Sequence, residues 1–238
     1  MRTIGLIGGM SWESTVPYYR EINRYVARRL GGFHSARLVL WSVDFHELEA
    51  AATDGRWDDV GRDLADAARR LEAAGAEILV LCTNTMHRVA DAIEAATELP
   101  LVHIADAVAA DVKQAGLRTV GLLGTRFTME QDFYRDRLAV RHGLEVLVPP
   151  PDDRTLVDRT IFEELVHGEF RDAARASFRA VIAGLVERGA EGVILGCTEI
   201  GMLVGPDDAA VLLFDSATIH ARAAAELALE TAARAPAG

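Results

Sequence analysis

The residues best suited to chemistry are the two cysteines, each of which directly follows a short apolar run. The run before Cys82 covers residues 78–81, and three polar residues come after the cysteine, Thr83, Asn84 and Thr85. Four consecutive apolar residues are typical of a parallel strand buried on both faces. Polar residues of these types are preferred at helix N-termini, so the pattern predicts a helix from here to about Ala96. Because a helix N-terminus stabilises a thiolate, we expect the pKa of the Cys82 thiol to lie below the usual value of about 8.5.

The context of Cys82 recurs around Cys197. Both cysteines are preceded by a Gly-Ala-Glu tripeptide, at residues 75–77 and 189–191, and both are followed by threonine. The segments TIGLIG at 3–8 and TVGLLG at 119–124 match as well, and their separation equals that of the cysteines to within one residue. Glycine-ended helices before apolar strands are common in α/β folds. The joint agreement in motif and spacing nevertheless favours an internal duplication.

The elements that position the cysteines alternate between strand and helix, which is typical of parallel sheets. The predicted strands cover residues 3–7, 36–43, 78–81, 100–104, 119–124, 144–148, 193–196 and 211–214. The predicted helices cover residues 11–30, 58–74, 83–96, 105–115, 128–141, 155–166, 170–188 and 216–234. Loops are expected at residues 44–46 and at 149–153, where three prolines form a stiff connection.

We therefore predict an α/β fold of two pseudo-symmetric lobes, each a parallel sheet flanked by helices. The first lobe is predicted to comprise residues 1–105 and 208–238 and to carry Cys82, and the second residues 106–207 with Cys197. Ligands of open parallel sheets bind at the carboxyl ends of the strands. We expect the two cysteine edges to face one another across a cleft that holds the active site.

Composition excludes several functional classes. The chain has 238 residues, half of them hydrophobic, so a sizeable core can form. A net charge of −11 argues against nucleic acid or an anionic membrane as a partner. We expect no secretory signal and no membrane span, and hence a cytoplasmic protein with two free thiols. Neither CxxC spacing nor a histidine pattern indicates a metal.

Two identical thiols on opposite sides of a ligand suit a reaction that is itself symmetric. Inversion at a carbon is such a reaction, because one base removes a proton from one face and a conjugate acid delivers one to the other. The carbanion-like transition state needs donors aimed at the substrate carboxylate. The candidate substrate-binding residues at the same edges are Met10, Ser11, Trp12, Thr83, Asn84, Thr85, Thr125, Thr198 and Glu199.

Three motifs in the expected order resemble the cofactor-independent aspartate/glutamate racemase superfamily, and most closely its broad-specificity bacterial amino-acid racemases. They are IGLIGGMSWEST at residues 4–15, LCTNTMH at 81–87 and LGCTEI at 195–200. The resemblance spans essentially the whole chain. It implies two α/β lobes, neither pyridoxal phosphate nor metal, a homodimer, and Cys82 and Cys197 as the catalytic pair. Because both cysteines are present, it also implies activity in both directions.

One departure from the family concerns substrate choice. In its aspartate-specific members an arginine after the second strand and a lysine before a glycine in the second lobe bind the side-chain carboxylate. The corresponding segments here are residues 43–46 and 165–168, and neither contains arginine or lysine. Each lost charge-assisted hydrogen bond is worth about 1.5 to 3 kcal/mol. We therefore expect a neutral or broad side-chain preference, although Arg126 or Arg154 could replace the missing cations.

Other interpretations stay open at the level of sequence. A single cysteine is more often a buried small hydrophobe than a catalyst, and Gly5, Gly8 and Gly9 match a dinucleotide fingerprint only weakly. His87 could tune Cys82 or be a capping or solvated histidine, and Glu199 could bind the substrate ammonium or cap a helix. The rival functions are an aspartate- or glutamate-specific racemase, a decarboxylase that uses one cysteine, and a non-catalytic amino-acid binding protein.

Overall fold

The computed structural model describes residues 1–230, in which eight short strands alternate with helices. The strands are β1 (Ile4–Gly8), β2 (Leu38–Ser42), β3 (Ile78–Leu81), β4 (Leu101–Val102), β5 (Thr119–Gly124), β6 (Glu145–Leu147), β7 (Gly192–Gly196) and β8 (Leu212–Asp215). They form two four-stranded sheets, with the orders β2-β1-β3-β4 and β6-β5-β7-β8. Every strand pair in both sheets is parallel. The predicted α/β architecture of two similar parallel sheets flanked by helices is confirmed.

The helices connect successive strands, as parallel pairing requires. They are α1 (Trp12–Leu30), α2 (Phe45–Thr53), α3 (Trp57–Ala73), α4 (Ala90–Glu94), α5 (Ile104–Gln114), α6 (Arg126–Glu130), α7 (Asp132–Asp136), α8 (Pro151–Glu163), α9 (Asp172–Glu187), α10 (Ile200–Leu203) and α11 (Ser216–Glu230). Short 3-10 turns lie at Thr85–Val89, Leu165–His167 and Pro206–Asp208, and a π-helical turn at Arg137–Arg141. Among the described residues, no helix is both long and apolar enough to cross a membrane.

The chain divides into two compact units, which we call the first and second lobes. The first lobe is Met1–His103 with the segment from His220 onward, and the second is Ile104–Ile219. Our sequence division placed residues 208–238 in the first lobe. Strand β8 pairs in parallel with β7, however, so the part of that segment up to Ile219 belongs to the second lobe.

Equivalent glycines let a helix pack closely on the central strand of each sheet. A Cβ atom at Gly5 in β1 would lie 2.8 Å from the Ala76 Cβ and 3.3 Å from the Leu71 Cβ. A Cβ atom at Gly121 in β5 would lie 2.9 Å from Leu185 Cδ1. All three distances are shorter than ordinary van der Waals contact. The matching glycines of the duplicated segments therefore have the same physical role in each lobe.

Three segments away from the cysteines differ from the sequence prediction. Residues 44–46, predicted as loop, begin α2, because the Asp44 side chain accepts a hydrogen bond from the His46 N–H at 3.0 Å and caps the helix. Pro151, predicted in a loop, is the first residue of α8, a position that needs no N–H donor. The predicted helix 128–141 is interrupted at Gln131, whose backbone is extended. The predicted terminal helix runs to the end of the described residues, and its predicted end at Arg234 lies outside them.

Candidate active site

Cys82 lies at the carboxyl end of β3, beside the end of the neighbouring strand β1. Its backbone N–H donates to the carbonyl of Ile7 at 2.9 Å, which continues the ladder between the two strands. The side chain is fully buried, and its Sγ contacts the Val80 carbonyl oxygen at 3.9 Å. The predicted position of the first thiol at the edge of a parallel sheet is therefore observed.

The turn after β1 lies at the same edge and is held by a threonine. The Gly9 N–H donates to Thr15 Oγ1 at 2.9 Å, and that hydroxyl donates to the Ser11 carbonyl at 2.9 Å. Gly9 has a φ of 97°, a conformation that favours glycine. Met10 and Ser11 are buried, whereas Trp12 is 64% exposed. Thr15 therefore holds the backbone on both sides of Met10, at Gly9 and at the predicted binding residue Ser11.

The backbone after Cys82 differs from the prediction. A 3-10 turn at Thr85–Val89 and the five-residue helix α4 replace the predicted helix, and Asn84 makes no side-chain capping bond. A single tight turn lacks the aligned peptide dipoles of a longer helix. Burial raises the pKa of the Cys82 thiol well above its usual value. The expectation of a lowered pKa is therefore wrong, because desolvation of the charged form dominates.

Buried polar side chains surround this turn. His87 Nδ1 lies 2.7 Å from the Thr83 carbonyl oxygen, and the His87 ring centroid lies 4.4 Å from that of His103. The His87 ring also meets the His220 ring edge-on at 5.7 Å, and His220 is hydrogen-bonded to the Tyr18 hydroxyl at 2.9 Å. Sequence reasoning missed this cluster, because its members come from four distant segments with no ligand-like spacing.

Cys197 occupies the equivalent position in the second lobe, at the carboxyl end of β7. Its Sγ donates to Glu199 Oε2 at 3.1 Å, and the Thr198 hydroxyl donates to the same oxygen at 2.6 Å. Glu199 is only 2% exposed. Burial, and after it the negative charge of Glu199, raise the pKa of the Cys197 thiol well above its usual value. The two cysteines thus have equivalent positions but different electrostatic partners.

Thr125 follows β5 at the same edge as Cys197. The register pairs Gly124 with Gly196, so the residues that follow these glycines leave neighbouring strands side by side. Thr125 is the N-cap of the short helix α6, and its hydroxyl lies 3.3 Å from that of Thr128 in the helix. Within the second lobe, the fold therefore brings Thr125, Thr198 and Glu199 to one edge with the thiol.

The two arginines that could replace the missing substrate-binding cations share one carboxylate. Arg126 Nε and Arg154 Nε lie 3.3 and 3.2 Å from Glu130 Oε1. The backbone N–H of Arg126 also donates to Asp158 Oδ1 at 2.8 Å, and burial raises the pKa of that carboxyl. Both guanidinium groups are thus partly neutralised. Among the described residues, no cluster of three histidine, cysteine or acidic side chains could hold a metal ion.

Comparisons with known proteins point to one family across most of the chain. A family model described as Asp/Glu/hydantoin racemase matches residues 7–224. A crystal structure from Yersinia pestis, of a protein provisionally described as an Asp/Glu racemase, has 55% identity and a TM-score of 0.90, covering 97% of this chain and 100% of that one. The structure of an aspartate racemase homologue from Pyrococcus horikoshii has 38% identity and a TM-score of 0.82, with the same coverage.

A curated relative gives a weaker match. The broad-specificity amino-acid racemase RacX of Bacillus subtilis (strain 168) is 24% identical over 147 residues, which are 60% of this chain and 63% of that protein. The match thus spans less than two thirds of the length of that relative.

Proposed function

This chain belongs to the Asp/Glu/hydantoin racemase family, as its three motifs predicted, and we propose that it interconverts L- and D-amino acids without a cofactor. The observation that carries the proposal is the pair of cysteines at equivalent strand ends of two similar lobes, at β3 and β7. Each is buried beside hydroxyl and backbone groups suited to binding an amino-acid carboxylate. The proposed reaction needs two such thiols, one as base and the other as acid.

In the proposed mechanism, one cysteine acts as base and the other as acid. A thiolate removes the α-proton from one face of the substrate, and a thiol delivers a proton to the opposite face. The first sulfur then carries the proton and the second is the thiolate, so the same pair catalyses the reverse reaction. Backbone N–H and hydroxyl groups near Ser11, Thr83 and Thr125 stabilise the negative charge that develops on the carboxylate.

Glu199 gives the two thiols different starting states in this proposal. The Cys197 thiol already donates to the Glu199 carboxylate, so its proton can pass to that oxygen and leave a thiolate base. Burial raises the pKa of the Cys82 thiol, so in this proposal Cys82 starts as the thiol acid. With Oε2 engaged by Cys197 and Thr198, we assign Glu199 to proton transfer in preference to binding the substrate ammonium.

We propose a neutral or broad side-chain preference. The segments 43–46 and 165–168 contain no arginine or lysine. Arg126 and Arg154 are both paired with Glu130, so an acidic substrate would have to compete with that carboxylate. Strict aspartate or glutamate specificity is the alternative, and it requires these arginines to exchange partners when the substrate binds. We also expect a homodimer, which sedimentation velocity would test.

The direct test is incubation of the cofactor-free protein with a panel of L-amino acids in deuterated water. We expect the D-enantiomer to form with deuterium at the α-carbon. Neither the Cys82→Ala variant nor the Cys197→Ala variant should catalyse racemisation. Release of carbon dioxide would indicate a decarboxylase instead. Binding without α-deuterium exchange would indicate a binding protein, and a clear preference for aspartate would overturn the proposed specificity.

A further inference from the structure

Four buried side chains from distant segments form one polar cluster in the first lobe, close to Cys82. Each is at most 5% exposed, and they are Tyr18 in α1, His87 after β3, His103 after β4 and His220 in α11. Buried polar groups are costly unless they are hydrogen-bonded. A cluster of three imidazoles and a phenol in an apolar lobe therefore calls for a physical role.

Hydrogen bonds determine which nitrogen of His220 carries the proton. Nε2 lies 2.7 Å from the Val102 carbonyl oxygen, which can only accept, so Nε2 is the donor. Burial lowers the pKa of His220 to about 4, so the ring is neutral at physiological pH. Nδ1 of the neutral ring is then an acceptor, and the Tyr18 hydroxyl donates to it at 2.9 Å. His220 is thus an uncharged ring held at both ends.

A hydrogen bond to a backbone carbonyl also fixes the proton position on His87. Its Nδ1 lies 2.7 Å from the Thr83 carbonyl oxygen and must be the donor of that bond. Its ring packs against His103 with centroids 4.4 Å apart and against the fixed ring of His220 at 5.7 Å. These contacts restrain the direction in which the Nδ1–H points.

The carbonyl that His87 binds belongs to the residue after Cys82. The Cys82 N–H is bound by Ile7 in β1, and the Thr83 N–H donates to the Leu81 carbonyl at 2.8 Å. The backbone on either side of the thiol is thus fixed by hydrogen bonds, and the His87 ring supplies the one to the Thr83 carbonyl. The Thr83–Asn84 peptide lies one residue beyond Cys82, so a displacement of Thr83 would be transmitted through the Cys82–Thr83 peptide to the Cys82 Sγ. Proton transfer is sensitive to such a displacement.

We propose that His87 is a positioning residue for Cys82, held in place by the Tyr18–His220 pair and by His103, and that it serves this cysteine alone. This inference rests on the proposed racemase function for its catalytic consequence. At the second cysteine the contacts differ, because the Cys197 thiol and the Thr198 hydroxyl both donate to the buried Glu199 carboxylate. Loss of the His87 bond should therefore affect proton transfer at one face of the substrate.

Two substitutions at His87 distinguish the loss of its hydrogen bond to Thr83 from the loss of its ring. The amide nitrogen of Asn is attached to Cγ, as Nδ1 of histidine is, so His87→Asn can keep the bond to Thr83. The amide nitrogen of Gln lies one atom further out, so His87→Gln removes the donor from that position while remaining polar. The matched pair distinguishes positioning from a general effect of changing a buried residue.

The rate of elimination from each enantiomer of β-chloroalanine measures proton removal by one thiolate at a time. A thiolate takes the α-proton, the Cβ–Cl bond breaks and chloride leaves, which gives 2-aminoacrylate. Water then hydrolyses the imine tautomer of 2-aminoacrylate to pyruvate and ammonia. No second protonation by the other cysteine is needed. Cys82→Ala and Cys197→Ala identify the enantiomer that depends on each thiol.

We expect His87→Gln to slow elimination from the Cys82-dependent enantiomer by roughly tenfold or more, as a displaced base would, with the other enantiomer changed less than about twofold. His87→Asn should stay within about threefold of wild type for both. Equal loss for the two enantiomers, or an Asn variant as slow as the Gln variant, would overturn the positioning role.

A second measurement does not depend on racemase activity. Methylthiolation of the two cysteines in the free protein, resolved by mass spectrometry, should show faster modification of Cys82 relative to Cys197 in His87→Gln than in wild type or His87→Asn. An unchanged ratio contradicts the inference. If the wild-type protein neither racemises nor eliminates while the ratio shifts as expected, the proposed function fails and the positioning of Cys82 stands.

Discussion

Replacing Glu199 by glutamine should change the reactivity of Cys197 and the rate of racemisation in opposite directions. The Cys197 Sγ and Glu199 Oε2 atoms are 3.1 Å apart. Two unit negative charges at that distance repel by roughly 5 kcal/mol at an effective dielectric constant of about 20. The substitution removes this repulsion and replaces the charged acceptor of the thiol's hydrogen bond by a neutral one, and both changes favour the thiolate. The pKa of Cys197 should therefore fall.

The expected size of the effect follows from the same distance. If only about a third of that repulsion is realised, the thiolate fraction at a fixed pH rises more than about tenfold. Alkylation by iodoacetamide at neutral pH should accelerate by a similar factor, because the thiolate is the reacting form. Site-resolved mass spectrometry measures this rate for Cys197, with Cys82 in the same molecule as an internal reference. Glu187→Gln, an exposed charge change at the end of α9, is the matched control.

Racemisation should nevertheless slow in Glu199→Gln, because the amide cannot accept the proton that Cys197 passes to the carboxylate in the proposed mechanism. A lost charge-assisted hydrogen bond of about 1.5 to 3 kcal/mol corresponds to roughly 10- to 150-fold in rate. Alkylation of Cys197 that is unchanged or slower would refute the electrostatic argument. Faster alkylation with undiminished racemisation would refute the proton-acceptor role of Glu199.

Three further predictions concern stability and specificity. Burial lowers the pKa of His220 to about 4 from an ordinary value of 6.5. Its contribution to the free energy of unfolding is therefore present above pH 6.5 and is lost as the pH falls towards 4. Urea unfolding should show that the free energy of unfolding decreases by about 3 kcal/mol between pH 7 and pH 4, a decrease that His220→Gln lacks. Gly5→Ala should destabilise by about 1 to 3 kcal/mol, because its Cβ would lie 2.8 Å from Ala76. Gly184→Ala in α9 meets no atom within 4 Å and should stabilise by about 0.5 to 1 kcal/mol, so equal effects in thermal unfolding would contradict this reasoning. Glu130→Gln should lower the KM for acidic relative to neutral amino acids by releasing two arginines, and an unchanged substrate panel would exclude them from substrate binding.

The local sequence was sufficient for the parts of the site that depend on single strands. Four apolar residues before Cys82 and the matching run before Cys197 specified buried strands, and the observed parallel pairing places both thiols at strand carboxyl ends. The duplication was visible because the same packing requirement recurs, with a glycine where a helix approaches the central strand at Gly5 and Gly121. Because both lobes need a glycine at this close helix–strand contact, the same local sequence occurs in each.

The secondary structure predicted from the sequence was wrong where tertiary contacts outweighed the local preference of a few residues. The polar residues after Cys82 suggested a helix, yet the chain there forms a 3-10 turn at Thr85–Val89 and a short helix. The side chain that holds this turn, His87, is itself oriented by His103 and His220, one of them more than a hundred residues away in sequence. No local pattern could indicate that arrangement.

The sequence by itself determined the fold class, the family and the identity of the two thiols, since these follow from hydrophobic periodicity and from motifs of contiguous residues. Only the tertiary structure decided the burial of those thiols and the partners that distinguish them. Desolvation depends on the whole surrounding lobe, and it raises the pKa of the Cys82 thiol. Glu199 acts on Cys197 because folding turns its carboxylate toward the sulfur and buries both groups, and that interaction depends on distance in space, which the order of residues does not give.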